Sequence, residues 1–173
     1  MNRTLELLRL VQTCGQIDGR KKLQKIVHVL KEVGYPFDFR YGFHFHGPFS
    51  AELKAEIDGL KCEDLVEEQD SSDPSSEFRH YSYSVSDAGA ALLKNVYENQ
   101  SPDWATLAQK LNSFAAKELE AISTIVFLMQ MGKTNGDIDE QFKTLKPQLV
   151  REFEVAKNVA AQLPLVSRSS LSV

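Results

Sequence analysis

Leu5, Leu8 and Val11 recur at helical spacing, Leu7 and Leu10 widen the same face, and Gly15 stops the run, which predicts a first helix. Across residues 20–33, Leu23, Ile26, Val27, Leu30 and Val33 share one face and Lys21, Lys25 and His28 another, so a second amphipathic helix is expected, ending at Gly34 before Pro36. The aromatic stretch 37–46 alternates weakly and closes on Gly47-Pro48, giving one short strand over residues 43–46. Ser50 suits the cap of a third helix, with Glu52 in its first turn, Leu53, Ile57 and Leu60 as its buried stripe and Gly59 weakening its end. Leu65 and Val66 on one side, and Phe78, Tyr81, Tyr83 and Val85 on the other, flank a polar run at 69–77 and predict a long hairpin with an exposed tip. Ser86 and Asp87 then open a fourth helix with Ala88, Leu92 and Val96 as its seam.

From Ser101 onward the pattern is wholly helical: Leu107, Leu111 and Phe114, then Ile122, Ile125 and Met129, then Phe142, Leu145, Leu149 and Phe153. Residues 132–136 separate two arms, and Lys146-Pro147 marks a helix start or a kink, because proline fits only a first helical turn. The expected organisation is a core of residues 1–99, a helical appendage of residues 100–163 packed on the core or forming a dimer interface, and a flexible tail of residues 164–173. The fold class is mostly α with a small antiparallel β-hairpin.

Composition narrows the classes. With 173 residues, 42% hydrophobic and 25% charged, the chain is long enough for a core of its own and is not expected to be disordered. Cys14 and Cys62 lack the spacing of a metal knuckle and sit in amphipathic stretches, so packed, reduced thiols and a cytoplasmic setting are expected. The start of the chain is periodic rather than solidly apolar, so neither a signal peptide nor a membrane partner is expected. A formal net charge of -4 leans away from a dedicated nucleic-acid binder.

The order helix, helix, short strand, helix, hairpin, helix resembles that of winged helix-turn-helix proteins, and the exit Tyr81-Ser-Tyr-Ser-Val-Ser-Asp-Ala-Gly89 looks like that of many wings. Gly19-Arg-Lys-Lys-Leu-Gln-Lys-Ile-Val27, followed by Tyr41-Gly-Phe-His-Phe-His-Gly-Pro-Phe-Ser-Ala-Glu-Leu53, resembles the bacterial YwgA-like family, and the likeness extends to Glu118-Leu-Glu-Ala-Ile-Ser-Thr124. More distantly, Lys22-Leu-Gln-Lys25 with Gly47-Pro48 is similar to the Panacea domain of SocA-like antitoxins, whose members are associated with neutralising toxins and with phage genes. These resemblances imply a bacterial or phage protein and a winged helix-turn-helix-like core with a C-terminal helical appendage. They bring no set of catalytic residues.

Candidate chemistry is sparse. Arg20, Lys21, Lys22 and Lys25 open the second helix, where side chains and free backbone amides suit phosphate or an acidic partner; a solvated helix face is the competing reading. The third helix, which a winged-helix protein lays in the major groove, offers Glu52, Lys54, Glu56, Asp58 and Lys61 and no Arg, Asn or Gln fork for base edges. Residues 63–77 carry seven acids and no base, so the wing disfavours DNA. His44 and His46 would share a strand face and could begin a zinc site with His28, Cys62 or His80, against the reading of hydrogen-bonded strand histidines. No Gly-rich phosphate loop, nucleophile elbow or HExxH helix occurs, so no cofactor and no enzymatic activity are expected. Residues 125–129 are apolar around the whole helix and need more than one neighbour, which makes Phe127 and Leu128 candidates for a homodimer interface or for a helix wrapped by the core. The resulting expectation is a non-enzymatic binding or regulatory module with a protein partner, which in the antitoxin-like form is a toxin; a DNA-binding regulator and an undetected enzyme are the alternatives.

Overall fold

The structure, a computed structural model, describes residues 2–70, 80–98 and 100–166. Helix α1 (Arg3–Cys14) starts where the Asn2 side chain accepts a hydrogen bond from the Thr4 amide and ends at Gly15, whose φ of +73° suits a residue without Cβ. Leu7, Leu8, Leu10 and Val11 are fully buried on its inner face. A two-residue strand, β1 (Ile17–Asp18), leads into α2 (Arg20–Val33), and Gly34 closes α2 in the left-handed conformation.

The aromatic segment differs from expectation. Instead of one strand over residues 43–46, β2 (Gly42–His44) and β3 (Gly47–Phe49) form a tight antiparallel pair with His44 opposite Gly47. The chain reverses at Phe45 and His46 because Gly47 adopts φ +80°, so His46 belongs to a turn and not to a strand face shared with His44.

Helix α3 (Ala51–Cys62) is capped by Ser50, whose hydroxyl accepts from the Leu53 amide, and buries Leu53, Ile57 and Leu60 as its pattern requires. Strands β4 (Val66–Asp70) and β5 (Tyr81–Val85) pair antiparallel, Val66 opposite Val85, and β1 adds to the other edge of β5 with Ile17 opposite Tyr83. The polar run expected as a hairpin tip enters the ladder at its start, since Gln69 faces Ser82 and Asp70 faces Tyr81; residues 71–77, like Phe78, lie outside the described residues.

In α4 (Asp87–Tyr97) the expected seam of Ala88, Leu92 and Val96 is displaced by one residue: Gly89 and Leu93 are buried, whereas Ala88 and Val96 are exposed. A Cβ at Gly89 would collide with the Leu65 carbonyl and crowd Val85. The position of closest approach is therefore a glycine, which a count of apolar residues overlooks.

The remaining helices are α5 (Ala105–Ser113), α6 (Ala116–Gln130), α7 (Asn135–Leu145) and α8 (Phe153–Ala161), with a single 3-10 turn at Pro147–Leu149. Phe142, Leu149 and Phe153 are buried, but the series breaks at Leu145, which is exposed beside the buried Lys146. Helix α6 lies between α2 and α8 and also meets β3 and α7, which explains an apolar surface on every side. One continuous cluster joins Leu7, Val27 and Phe37 to Ile122, Val126 and Phe153, so the C-terminal helices complete the core begun by the first half. The segment expected as a loose tail is held at its start: the Val166 amide donates to the Glu32 carbonyl at 2.9 Å, and residues 167–173 lie outside the described residues.

The chain is thus mostly helical, with a small three-stranded antiparallel sheet and a separate hairpin. Among the described residues no helix is long and apolar enough to cross a membrane. Cys14 is half-buried and burial pushes its thiol up to about 11, in line with a packed cysteine, whereas Cys62 at the end of α3 is exposed, contrary to expectation.

Candidate functional site

Helix α2 distributes its four leading cations around its axis, because successive residues turn by about 100°. Arg20 reaches the sheet: its Nη2 lies 3.2 Å from Glu68, its Nε donates to the Tyr83 hydroxyl at 3.1 Å, and its guanidinium stacks on Tyr81. Lys22 points elsewhere and donates to the Asn112 carbonyl. Lys21 and Lys25, four residues apart, share a face, and Glu120 of α6 is what they face. The structure therefore does not unite Arg20, Lys21, Lys22 and Lys25 in one phosphate patch; it selects two of them.

Around Glu120 the charges do not balance. Lys146 Nζ donates to Glu120 Oε1 at 2.8 Å and to the Phe45 carbonyl, Lys21 Nζ stands 3.2 Å from Oε2, and Lys25 Nζ donates to the Pro48 carbonyl at 2.5 Å. Glu120 is 3% exposed, Lys25 2% and Lys146 0%, so two of the three amines around this carboxylate lie out of water, while Lys21 is half-exposed. Burial pushes the Lys25 ammonium down to about 7; Glu120 pulls against that fall, while Lys146 and Lys21 add to it. Burial also works against ionised Glu120, but the hydrogen bond from Lys146 and the charge of Lys21 outweigh it and hold the carboxyl below its ordinary value. The cluster retains a surplus of positive charge.

The β2–β3 hairpin closes over this cluster. Gln24 clamps its end, donating to the Ser50 carbonyl at 2.8 Å and accepting from the Ser50 amide at 2.9 Å, while Tyr41 donates to the Gln24 carbonyl. A Cβ on Gly47 would stand 3.0 Å from Thr124 Oγ1 and 3.6 Å from Lys25 Nζ, so the turn sits directly against α2 and α6. The sequence segments at 22–25, 47–50 and 118–124 thus meet at one place. Desolvation and the nearby Lys21 charge hold His46 below the usual imidazole value, and the Phe45 ring is 82% exposed.

Between α2, α3 and the hairpin opens a cleft of about 450 Å³. Its walls include Leu23, Phe49, Leu53, Ile57 and Tyr83; Lys21, Lys25 and His46 line it too, and Phe45 belongs to its rim. A volume of this order accommodates one large side chain with its flanking backbone or a small ligand.

On the neighbouring helix, charges are paired. On α3, Glu52 pairs with Arg40 at 2.6 Å, Lys54 with Asp58 at 2.9 Å, Glu56 with Arg3 at 3.4 Å, and Lys61 with Glu68 at 2.7 Å. His44 packs edge-on against Phe49, and His28 is fully buried with Nδ1 2.8 Å from the Ser123 hydroxyl. Among the described residues no group of three or more His, Cys, Asp or Glu side chains is placed to hold a metal ion. Leu128 is buried, and Phe127 is half-buried with its ring 5.3 Å from Phe43 and 6.2 Å from His28.

Glu120, Lys146 and the Pro48 carbonyl escaped the sequence reading. The signal for the first two was faint, a charge between two apolar neighbours with other charges two or three residues away: Glu120 between Leu119 and Ala121 near Glu118, and Lys146 between Leu145 and Pro147 near Lys143. Such charges are kept buried only beside a partner.

The chain is mostly helical and carries an apolar cleft with a cationic floor. The chain is 33% identical over 122 residues, 70% of its own length and 72% of the relative's, to the "Uncharacterized protein YwgA" of Bacillus subtilis (strain 168), and it belongs to the YwgA-like family. No family model matches the chain.

Proposed function

We propose that this protein is a non-enzymatic binding or regulatory module, built on a winged-helix-like core, that holds a protein partner in the cleft between α2, α3 and the β2–β3 hairpin. One observation carries the reading: an open, largely apolar cleft lies between an unneutralised cationic cluster and an aromatic side chain, Phe45, that is 82% exposed. Aromatic anchors beside apolar pockets are the usual energetic centres of protein interfaces. Support for the winged-helix core comes from β1, which joins the β4–β5 hairpin in a sheet flanked by α1, α2 and α3, although the β2–β3 hairpin is inserted between α2 and α3. The antitoxin-like reading implied by the Panacea resemblance is the case in which the partner is a toxin.

DNA is disfavoured by the same geometry. The α3 cations are engaged with carboxylates of their own helix and of β4, and Glu67, Glu68 and Asp70 line β4, where phosphate would have to approach. A peptide array probed with the purified protein tests the proposal. Retained peptides should pair an aromatic or aliphatic residue with Asp or Glu, and Phe45→Ser should lower their binding about tenfold or more. Tight duplex binding at physiological salt, with no peptide retained, would replace it with the DNA-binding alternative.

A further inference from the structure

We infer that the floor of the cleft is a carboxylate site: Lys21 and Lys25, with His46 at the edge, receive a single carboxylate that the partner presents next to a large apolar side chain. This rests on the binding-module reading and adds the chemistry of the occupant.

The argument begins with donors and charges. Lys25 lines the cleft, is 2% exposed, and among the described residues makes one hydrogen bond, to the Pro48 carbonyl, although an ammonium carries three N–H groups. Both oxygens of Glu120 are occupied, one by Lys146 and one by Lys21. Among the described residues no second carboxylate acts on Lys25, so an ammonium there adds charge that Glu120 alone does not offset. A buried surplus of this kind is unfavourable without a counter-ion, and one monovalent anion would reduce it. The walls decide the rest of the occupant, because Leu23, Phe49, Leu53 and Ile57 exclude a bare, strongly hydrated ion in favour of one attached to an apolar body.

Binding should also move a proton. The groups facing Lys25 are Lys21 on its own helix, Glu120 on α6, Lys146 ahead of the 3-10 turn, and His46 and the Pro48 carbonyl on the hairpin. With the Lys25 amine titrating at about 7, a carboxylate that prefers the ammonium draws in roughly half a proton at pH 7, more at higher pH and less at lower. His46, held below its ordinary value, titrates on the acid side of that window.

The probes are acetyl-Gly-Phe as the free acid, the same peptide as its carboxamide, and acetyl-Asp-Phe carboxamide, each titrated to about 10 mM so that millimolar affinities register. Amide resonances of residues 21–25 and 45–50 should shift with the free acid or with the Asp peptide, and the one that binds tells a terminal carboxylate from a side-chain one. The uncharged carboxamide should bind about tenfold or more weakly. Lys25→Met should erase the difference between acid and amide, and Lys21→Met, on a half-exposed side chain, should reduce it if the Lys25 variant does not fold. Calorimetry in two buffers of different ionisation enthalpy should give proton uptake that grows from pH 6 to pH 8.

Equal binding of acids and carboxamide at the cleft would overturn the carboxylate site and leave the binding-module reading intact. Binding of none would overturn the site as well. Acid-selective binding at the cleft, with array peptides that instead survive Phe45→Ser, would keep the site and remove the partner from it.

Discussion

Two charged clusters border the cleft, and they use the same side chains to opposite ends. Along α3 and the sheet, Arg20, Glu68, Lys61, Asp58 and Lys54 alternate in sign at separations of 2.7 to 3.8 Å, with Arg20 and Lys54 each more than half exposed. Behind the hairpin, Lys25 and Lys146 are buried beside one carboxylate, Glu120, which the half-exposed Lys21 also meets. Fully ionised, the first carries one more cation than anion and the second two more. Water screens the surplus in the first; in the second, burial lowers the Lys25 pKa instead, and the fold bears an unbalanced site where a ligand can complete it.

The sharpest way to break the comparison is to remove the buried carboxylate. Glu120→Gln leaves three amines facing one another, two of them buried, and should cost about 3–5 kcal/mol in urea unfolding. Lys146→Met removes one cation of three and frees the Phe45 carbonyl, so a smaller loss of about 1–3 kcal/mol is expected. Equal losses would show that packing rather than charge sets the cluster's stability.

A second test uses pH. The unfolded Lys25 amine titrates near 10.5 and the folded one near 7, so between these values the native state binds fewer protons than the unfolded state. Stability therefore rises with pH through that window, by at most about 1.4 kcal/mol per pH unit, and the penalty of burying the ammonium is fully present below it. The difference in unfolding free energy between the wild type and Lys25→Met should thus move in favour of the wild type from pH 7 to pH 9. A flat difference would mean that water reaches the Lys25 amine freely.

The same contrast explains what could be read in the sequence. Glycines at 19 and 34 bracket a clean period, so α2 runs over Arg20–Val33 as expected, and Ser50 and Ser86 mark the starts of α3 and α4. The long hairpin was legible because its strands are five residues each. Strands β1 and β3, two and three residues long, carry too little period to register, and the seam of α4 was misplaced by a glycine that packs. The site was half legible: Lys21 and Lys25 stood out by their charge, but their partners are the backbone at Pro48, Glu120 on α6 and Lys146 26 residues beyond Glu120, contacts made by tertiary packing alone.

Helix α6 offers an intermediate case. Phe127 is half-buried against Phe43 and His28 of the same chain, so Phe127→Glu sets a charge against the hairpin strand and should lower stability by about 1–3 kcal/mol. Sedimentation of both proteins should give the same mass at matched concentration. A folded variant of half the wild-type mass would instead assign Phe127 to a homodimer contact.

The smallest effect belongs to the exposed ladder. Lys54 and Asp58 are four residues apart on α3, with their side chains 55% and 40% exposed, and the hydrogen bond from Lys54 holds the Asp58 carboxyl below its ordinary value. Stability from that pair is present above the unfolded carboxylate value and is lost as pH falls through the folded one. A double-mutant cycle of Lys54→Ala and Asp58→Ala should return a coupling of about 0.3–0.5 kcal/mol at low ionic strength. In about 1 M salt, where the screening length falls to roughly 3 Å, that coupling should disappear, because both partners meet the solvent. The loss caused by Glu120→Gln should survive the same salt, since Lys146 and Glu120 lie where ions do not reach. A Glu120 effect that fades with the Lys54–Asp58 coupling would place both clusters in the same solvent and remove the contrast between them.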